Sequence, residues 1–353
     1  MKVNPEQVSS HAGVASANDA ATTASPALAS PAPLDPAPPA LAPHGTAPGG
    51  AVPRCGGQAG RLRARRARNR PWAALLWVAP ALLCYAAFVL YPLGQSIQYS
   101  FYNWDGVGPA TPAGLANWEA IFTQPELLSA VAHAFELIVF YTLFPIGAGL
   151  AAASLIRELK PGPFSTISQT ILFIPQVLPL VAAGVAWTWL YSSDGLVNQI
   201  LRATGLGGAT RAWLGDFTFA LPAVGVIGVW VMLGFCTVLL LSGIGTIDPA
   251  LYEAASLDGA GRLRQFQAVT LPGLRQELVV CTTFTVVAAL ASFDVIQVST
   301  QGGPGYQTIV PGVEIYRLTF LDQRIGQASA LAVFLTVLVL LVIWPIQRLG
   351  RTK

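Results

Sequence analysis

Ile247-Asp-Pro-Ala-Leu-Tyr-Glu-Ala-Ala-Ser-Leu-Asp-Gly-Ala-Gly-Arg262, running on to Leu271-Pro272, separates two apolar runs, Phe217 to Ile247 and Leu278 to about Thr300. Asp248 is placed to cap a helix, and Pro249 fits the first helical position. Ala250 to Leu257 are mostly good helix formers. Gly259 falls at the stop position, where a left-handed backbone is usual. A second helical piece, Arg262 to about Thr270, leads to the foot of the next run. The first helix presents Leu251, Tyr252 and Leu257 beside Glu253 and Asp258. A free loop needs neither this helicity nor these apolar residues. Two readings follow: a helix that sits in another protein's groove, or an interfacial helix lying on a membrane.

The runs around this loop favour a membrane setting. Only 10% of the 353 residues are charged and 53% are hydrophobic, and the mean hydropathy is +0.55. A soluble domain carries about 25% charge, so an ordinary soluble enzyme is excluded. Six stretches reach the roughly 20 apolar residues that a span needs: Pro71 to Trp104, Ser129 to Ile156, Phe164 to Ser193, Phe217 to Ile247, Leu278 to about Thr300, and Ile325 to Gln347. The expected fold is an all-α membrane protein with six transmembrane helices. Prolines within or near the ends of spans (Pro80, Pro92, Pro145, Pro175, Pro179, Pro222 and Pro345) predict kinks. The net charge of +3 is too small to imply nucleic acid. The cysteines at 55, 84, 236 and 281 fit no metal or redox spacing. Three of them lie in apolar runs, which predicts core packing.

Residues 1–70 differ from the rest. The first 60 hold 10 of the 27 prolines, and no Phe, Trp, Tyr or Ile occurs before Trp72. Such a segment is expected to be a disordered Ala/Pro-rich tail. It ends in Arg61-Leu-Arg-Ala-Arg-Arg-Ala-Arg-Asn-Arg70, a basic cluster directly before the first run, which reads as a positive-inside flank touching anionic lipid headgroups. With that cluster inside and the spans alternating, 16 of 20 Lys and Arg fall on the cytoplasmic side, Arg157, Lys160, Arg262, Arg264 and Arg275 among them. Both termini are then cytoplasmic, and Trp187, Trp189 and Tyr191 fall where an outer aromatic belt belongs.

Glu253-Ala254-Ala255, three residues, Gly259, nine residues, Val269-Thr270-Leu271-Pro272 resembles the EAA loop of ABC importer permeases. That pattern is EAA, three residues, G, nine residues, I, one residue, LP; Val269 stands in place of Ile. The resemblance covers about residues 72–347 and is similar to the sugar-type permeases of the maltose and glycerol-3-phosphate kind. It includes Tyr91-Pro92-Leu93, Gly114 to Trp118, Pro175 to Trp187, Phe293-Asp294, Gly302-Gly303-Pro304 with Thr308, and Gly326 to Ala330. It implies a permease domain over 71–353, half of a heterodimeric pore, with a cytoplasmic coupling loop at about 246–275. The implied partners are a second six-helix permease, a cytoplasmic ABC ATPase dimer and an extracytoplasmic solute-binding protein, in the cell membrane. The implied coupling contact is Glu253, Ala254, Ala255 and Gly259, with Asp258, Leu271 and Pro272 beside it.

The chain has no GxxxxGK[ST] phosphate loop, nucleophile triad or metal-ligand cluster, so it reads as no enzyme. No cofactor is expected on it; ATP and Mg belong to the implied ATPase. Ionisable residues inside spans mark pathways. Asp294 and Glu136 are therefore candidates, because carboxylates accept hydrogen bonds from sugar hydroxyls. The bland alternative for Glu136 is a pair with His133 at i−3. Gln297 and Trp230 are further candidates. Gly302, Gly303 and Pro304 form a turn, read either as a simple reversal or as a contact with the binding protein. Other readings of the chain are an ion-coupled secondary carrier, and a membrane anchor or interaction protein acting through its tail.

Overall fold

A computed structural model describes residues 71–159 and 162–350. The tail, its basic cluster, Cys55 and Lys160 lie outside the described residues. The described residues are mostly helical. The first span runs through α1 (Pro71–Tyr85), a π turn (Ala86–Leu90) and α2 (Tyr91–Tyr99). A two-stranded hairpin follows, β1 (Tyr102–Asn103) antiparallel to β2 (Thr111–Pro112), and then the short α3 (Ala116–Thr123). The second span is α4 (Pro125–Ile138), a π turn (Val139–Leu143) and α5 (Phe144–Glu158). Then come α6 (Pro163–Val177), α7 (Leu180–Leu190), α8 (Leu196–Ala203) and the long α9 (Ala220–Thr246). The loop region holds α10 (Pro249–Leu257), α11 (Arg262–Gln265), a π turn (Phe266–Thr270) and α12 (Leu271–Gly273). The chain closes with α13 (Arg275–Leu290), α14 (Asp294–Ser299), α15 (Pro311–Phe320) and α16 (Ile325–Gly350).

Five of these segments are long and apolar enough to cross a membrane. The third expected span is not one straight helix. It breaks between α6 and α7, which meet at 99°. The cause is local: proline disfavours helical geometry in the residue before it. Leu178, before Pro179, takes φ −71° and ψ 137°. The fifth span also breaks, between Leu290 and Asp294.

Two of the prolines expected to kink spans, Pro92 and Pro145, share a local form with Pro272. Pro92, Pro145 and Pro272 each follow a five-residue π turn with one residue between. Proline donates no hydrogen bond and crowds the carbonyl four residues back. A widened turn accommodates both defects without ending the helix.

The core is built around α9. Among its buried residues are Val224, Ile227, Val231, Cys236, Leu240 and Ile244. Small residues let neighbours approach: a Cβ at Gly228 would lie 2.0 Å from the Tyr141 ring, and one at Gly234 would lie 2.1 Å from the Leu172 carbonyl oxygen. The first span differs sharply. None of its apolar window is buried, and Trp77 is 88% and Phe88 80% exposed. Its apolar surface therefore needs lipid or a partner. Cys236 and Cys281 are buried as free thiols, but Cys84 is exposed, contrary to core packing. The aromatic belt is likewise reduced to Trp189, which is 73% exposed. Tyr191 turns inward and donates to the Ala223 carbonyl at 3.2 Å, and Trp187 packs 5.0 Å from it.

Two ends of the bundle are distinct. At one end Arg262 pairs with Glu158 at 3.1 Å, and Arg275 donates to the Leu349 carbonyl. At the other, the Ile325 N–H donates to Trp104 at 3.0 Å beside the hairpin.

Candidate functional site

The loop helix α10 forms as its sequence dictates. The Asp248 carboxylate accepts from the Ala250 N–H at 2.9 Å, and Pro249 opens the helix. The far end closes as a Schellman motif. The Gly259 N–H donates to Ser256 at 3.0 Å and the Ala260 N–H to Ala255 at 2.9 Å. Gly259 holds φ +74°, the left-handed conformation that glycine adopts most readily.

No residue of α10 is buried. Leu251 is 54% and Leu257 89% exposed, beside exposed Glu253, Ala254 and Asp258. Ala255 is half-buried. Tyr252 does not join the presented face. It turns back, with the Arg157 guanidinium 3.9 Å from its ring centroid and its hydroxyl 3.0 Å from Thr270 Oγ1. Leu271 and Pro272 lie on α12, after the π turn. The structure thus gathers Glu253, Ala254, Asp258 and Gly259 on one short element, and leaves Leu271 and Pro272 at the foot of α13.

Within the spans, Asp294 opens α14. With Tyr141, Leu180, Met232 and Ser292 it lines a cavity of about 140 Å³. The Ser292 hydroxyl there is buried without a hydrogen-bond partner. Gln297 is half-buried one turn on, and Trp230 packs edge-on to Trp187 at 5.7 Å. Glu136 does not pair with His133: His133 Nδ1 lies 2.9 Å from the Ile309 carbonyl, and Glu136 is exposed. The i−3 spacing was real, but a loop carbonyl from the far end of the sequence claims the imidazole. Sequence reading missed Tyr141 and Ser292, ordinary residues that line the same cavity as Asp294.

In the last loop, Gly302 is buried and Gly303 and Pro304 are half-buried. The buried Thr308 hydroxyl donates to the Gly303 carbonyl at 2.8 Å and lies 2.7 Å from Thr300 Oγ1. The exposed tip is Gly305, Tyr306 and Gln307. Behind it, Glu314 is 2% exposed, with Arg317 Nε at 3.9 Å. Burial pushes its carboxyl above the usual range, partly offset by Arg317.

A bent-span helical bundle with an exposed capped helix at one end defines a polytopic membrane protein. Comparison with known proteins gives the class: residues 144–352 match the family of binding-protein-dependent transport system inner membrane components. The chain belongs to that family, the permease subunits of ABC transporters. The chain is 31% identical over 300 residues to the diacetylchitobiose uptake system permease protein NgcF of Streptomyces coelicolor, covering 82% of this chain and 85% of that one. It is 32% identical over 285 residues to the sulfoquinovosyl glycerol transport system permease protein SmoG of Agrobacterium fabrum, covering 79% and 91%. The fold is similar to a chain of a bacterial ABC transporter involved in import of the acidic polysaccharide alginate, with a TM-score of 0.68 and 24% identity, covering 80% of this chain and 97% of that one.

Proposed function

We propose that this permease is half of the pore of an ATP-driven importer for a sugar, oligosaccharide or related polyol. The sugar class rests on the relatives, which are named for diacetylchitobiose and sulfoquinovosyl glycerol uptake. The observation that carries the coupling role is α10: capped at both ends, unburied, and presenting Leu251, Glu253, Ala254 and Leu257 at one end of the bundle. Such a face suits a groove in a cytoplasmic ABC ATPase, which would bind ATP and Mg. A second permease would cover the unburied first span. Basic residues gather at the α10 end, which supports a cytoplasmic side for that end and for both termini. An extracytoplasmic binding protein would then meet the opposite end, at Gly305 to Gln307. Asp294, Tyr141 and Ser292 supply hydrogen-bonding groups for hydroxyls inside the bundle.

Co-purification with the ATPase subunit tests the reading. The wild-type chain is expected to retain it, and Gly259→Pro to lose it with the bundle still folded. Retained binding and full ATP-coupled uptake in Gly259→Pro would sink the assignment.

A further inference from the structure

A docked helix can drive the pore only through what joins it to the spans. Helix α10 buries no side chain of its own, and behind it lies a cavity of about 460 Å³ lined by Ser154, Arg157, Ile244, Tyr252 and Phe266. Close packing therefore does not carry the load across that gap. Tyr252 does cross it. Its ring lies under the Arg157 guanidinium at 3.9 Å, and Arg157 belongs to the last turn of α5. Its hydroxyl lies 3.0 Å from Thr270 Oγ1, and Thr270 is 4% exposed at the end of the π turn below α13. One side chain thus ties α10 to the second and fifth spans together. The Arg262–Glu158 pair crosses the same gap at 3.1 Å, but both side chains are well exposed, so it adds little. Gln265 Nε2 donates to the Ala260 carbonyl at 2.9 Å and stiffens the turn behind α10.

We propose that Arg157, Tyr252 and Thr270 form a strut that passes displacement of α10 to α5 and α13. They are positioning residues for coupling and lie off the exposed face of α10. The proposal rests on the reading of α10 as a docking helix. It adds that docking and transmission are separable in this chain.

The test uses the whole complex in proteoliposomes, with Mg·ATP as the probe and with or without the binding protein as purified from cells. Two quantities are read for each variant: ATPase subunit retained per permease, and the fold stimulation of hydrolysis by the binding protein. Tyr252→Ala and Arg157→Ala are expected to keep the ATPase bound and to lose most of the stimulation, tenfold or more. Tyr252→Phe keeps the ring contact and is expected to retain at least half of it. The double variant is expected to be no worse than either single, because both remove one contact. Wild-type stimulation in Tyr252→Ala, or losses that multiply in the double variant, would overturn the strut. If Tyr252→Ala sheds the ATPase, Arg157→Ala decides, since it changes no residue of α10. If the wild-type chain itself holds no ATPase, the docking reading fails, and the strut with it.

Discussion

Gly259 combines φ +74° with open space where a Cβ would point. Its constraint is conformational, not steric. Gly259→Ala is expected to cost about 1–2 kcal/mol at the turn, roughly a 5–30-fold loss in the population of the docked-ready helix end. A pull-down titration of the ATPase would show it as weaker retention at unchanged permease level. Gly234 is the opposite case: its Cβ would meet the Leu172 backbone oxygen at 2.1 Å. Gly234→Ala should therefore lower the thermal inactivation temperature in detergent, by about 1–3 kcal/mol of stability, without any specific effect on the ATPase. Glu314 gives a pH prediction. Burial holds its folded carboxyl above its ordinary range, so the native state holds the proton more tightly. Its contribution is full below the unfolded value and is lost as pH rises through the folded one. Melting curves from acid to neutral pH should show that slope in the wild type, and less of it in Glu314→Gln.

Elements were legible where local chemistry decides them. The cap at Asp248, the stop at Gly259 and the length of α10 follow from residues within one turn of each other, and the sequence reading placed all three. The kinks were foreseen at Pro92 and Pro145, but not their π form, which depends on backbone room. A kink at Pro179 was foreseen, but not a bend of 99°, because Phe164 to Ser193 is uncharged throughout and hydropathy does not register a change of direction. Leu178-Pro179 was the available signal. Tyr252 was read as part of the presented face because helical spacing allows it; its partners, Arg157 and Thr270, come from two other elements. The same holds for Asp294, whose neighbours Tyr141 and Ser292 are set by tertiary packing. Replacing Pro179 with Ala relaxes the restriction on Leu178. The expected result is a straighter α6–α7 pair and loss of transport with the chain still in the membrane, read as a changed distance between spin labels at Ile167 and Trp189, both exposed.

For the whole molecule, the unburied first span, the exposed α10 face and the exposed tip of the last loop are the surfaces that the proposed reading assigns to neighbours. On the proposed reading, lipid or a second permease would cover the first, an ATPase the second and a binding protein the third. Sidedness orders them. Cysteines at Leu257 and Leu115, both well exposed at opposite ends, should react with an impermeant maleimide from opposite sides of the membrane, Leu115 from outside. Deleting residues 1–60 is expected to leave transport nearly intact, because the family match begins only at residue 144. The measurement that bears most directly on the account is site-specific crosslinking at α10 in membranes holding the complete system. A cysteine at Glu253 should form a crosslink to the ATPase subunit whose yield changes with Mg·ATP. No crosslink from Glu253 or Leu257 to the ATPase, with both sites labelled from outside the cell, would contradict it.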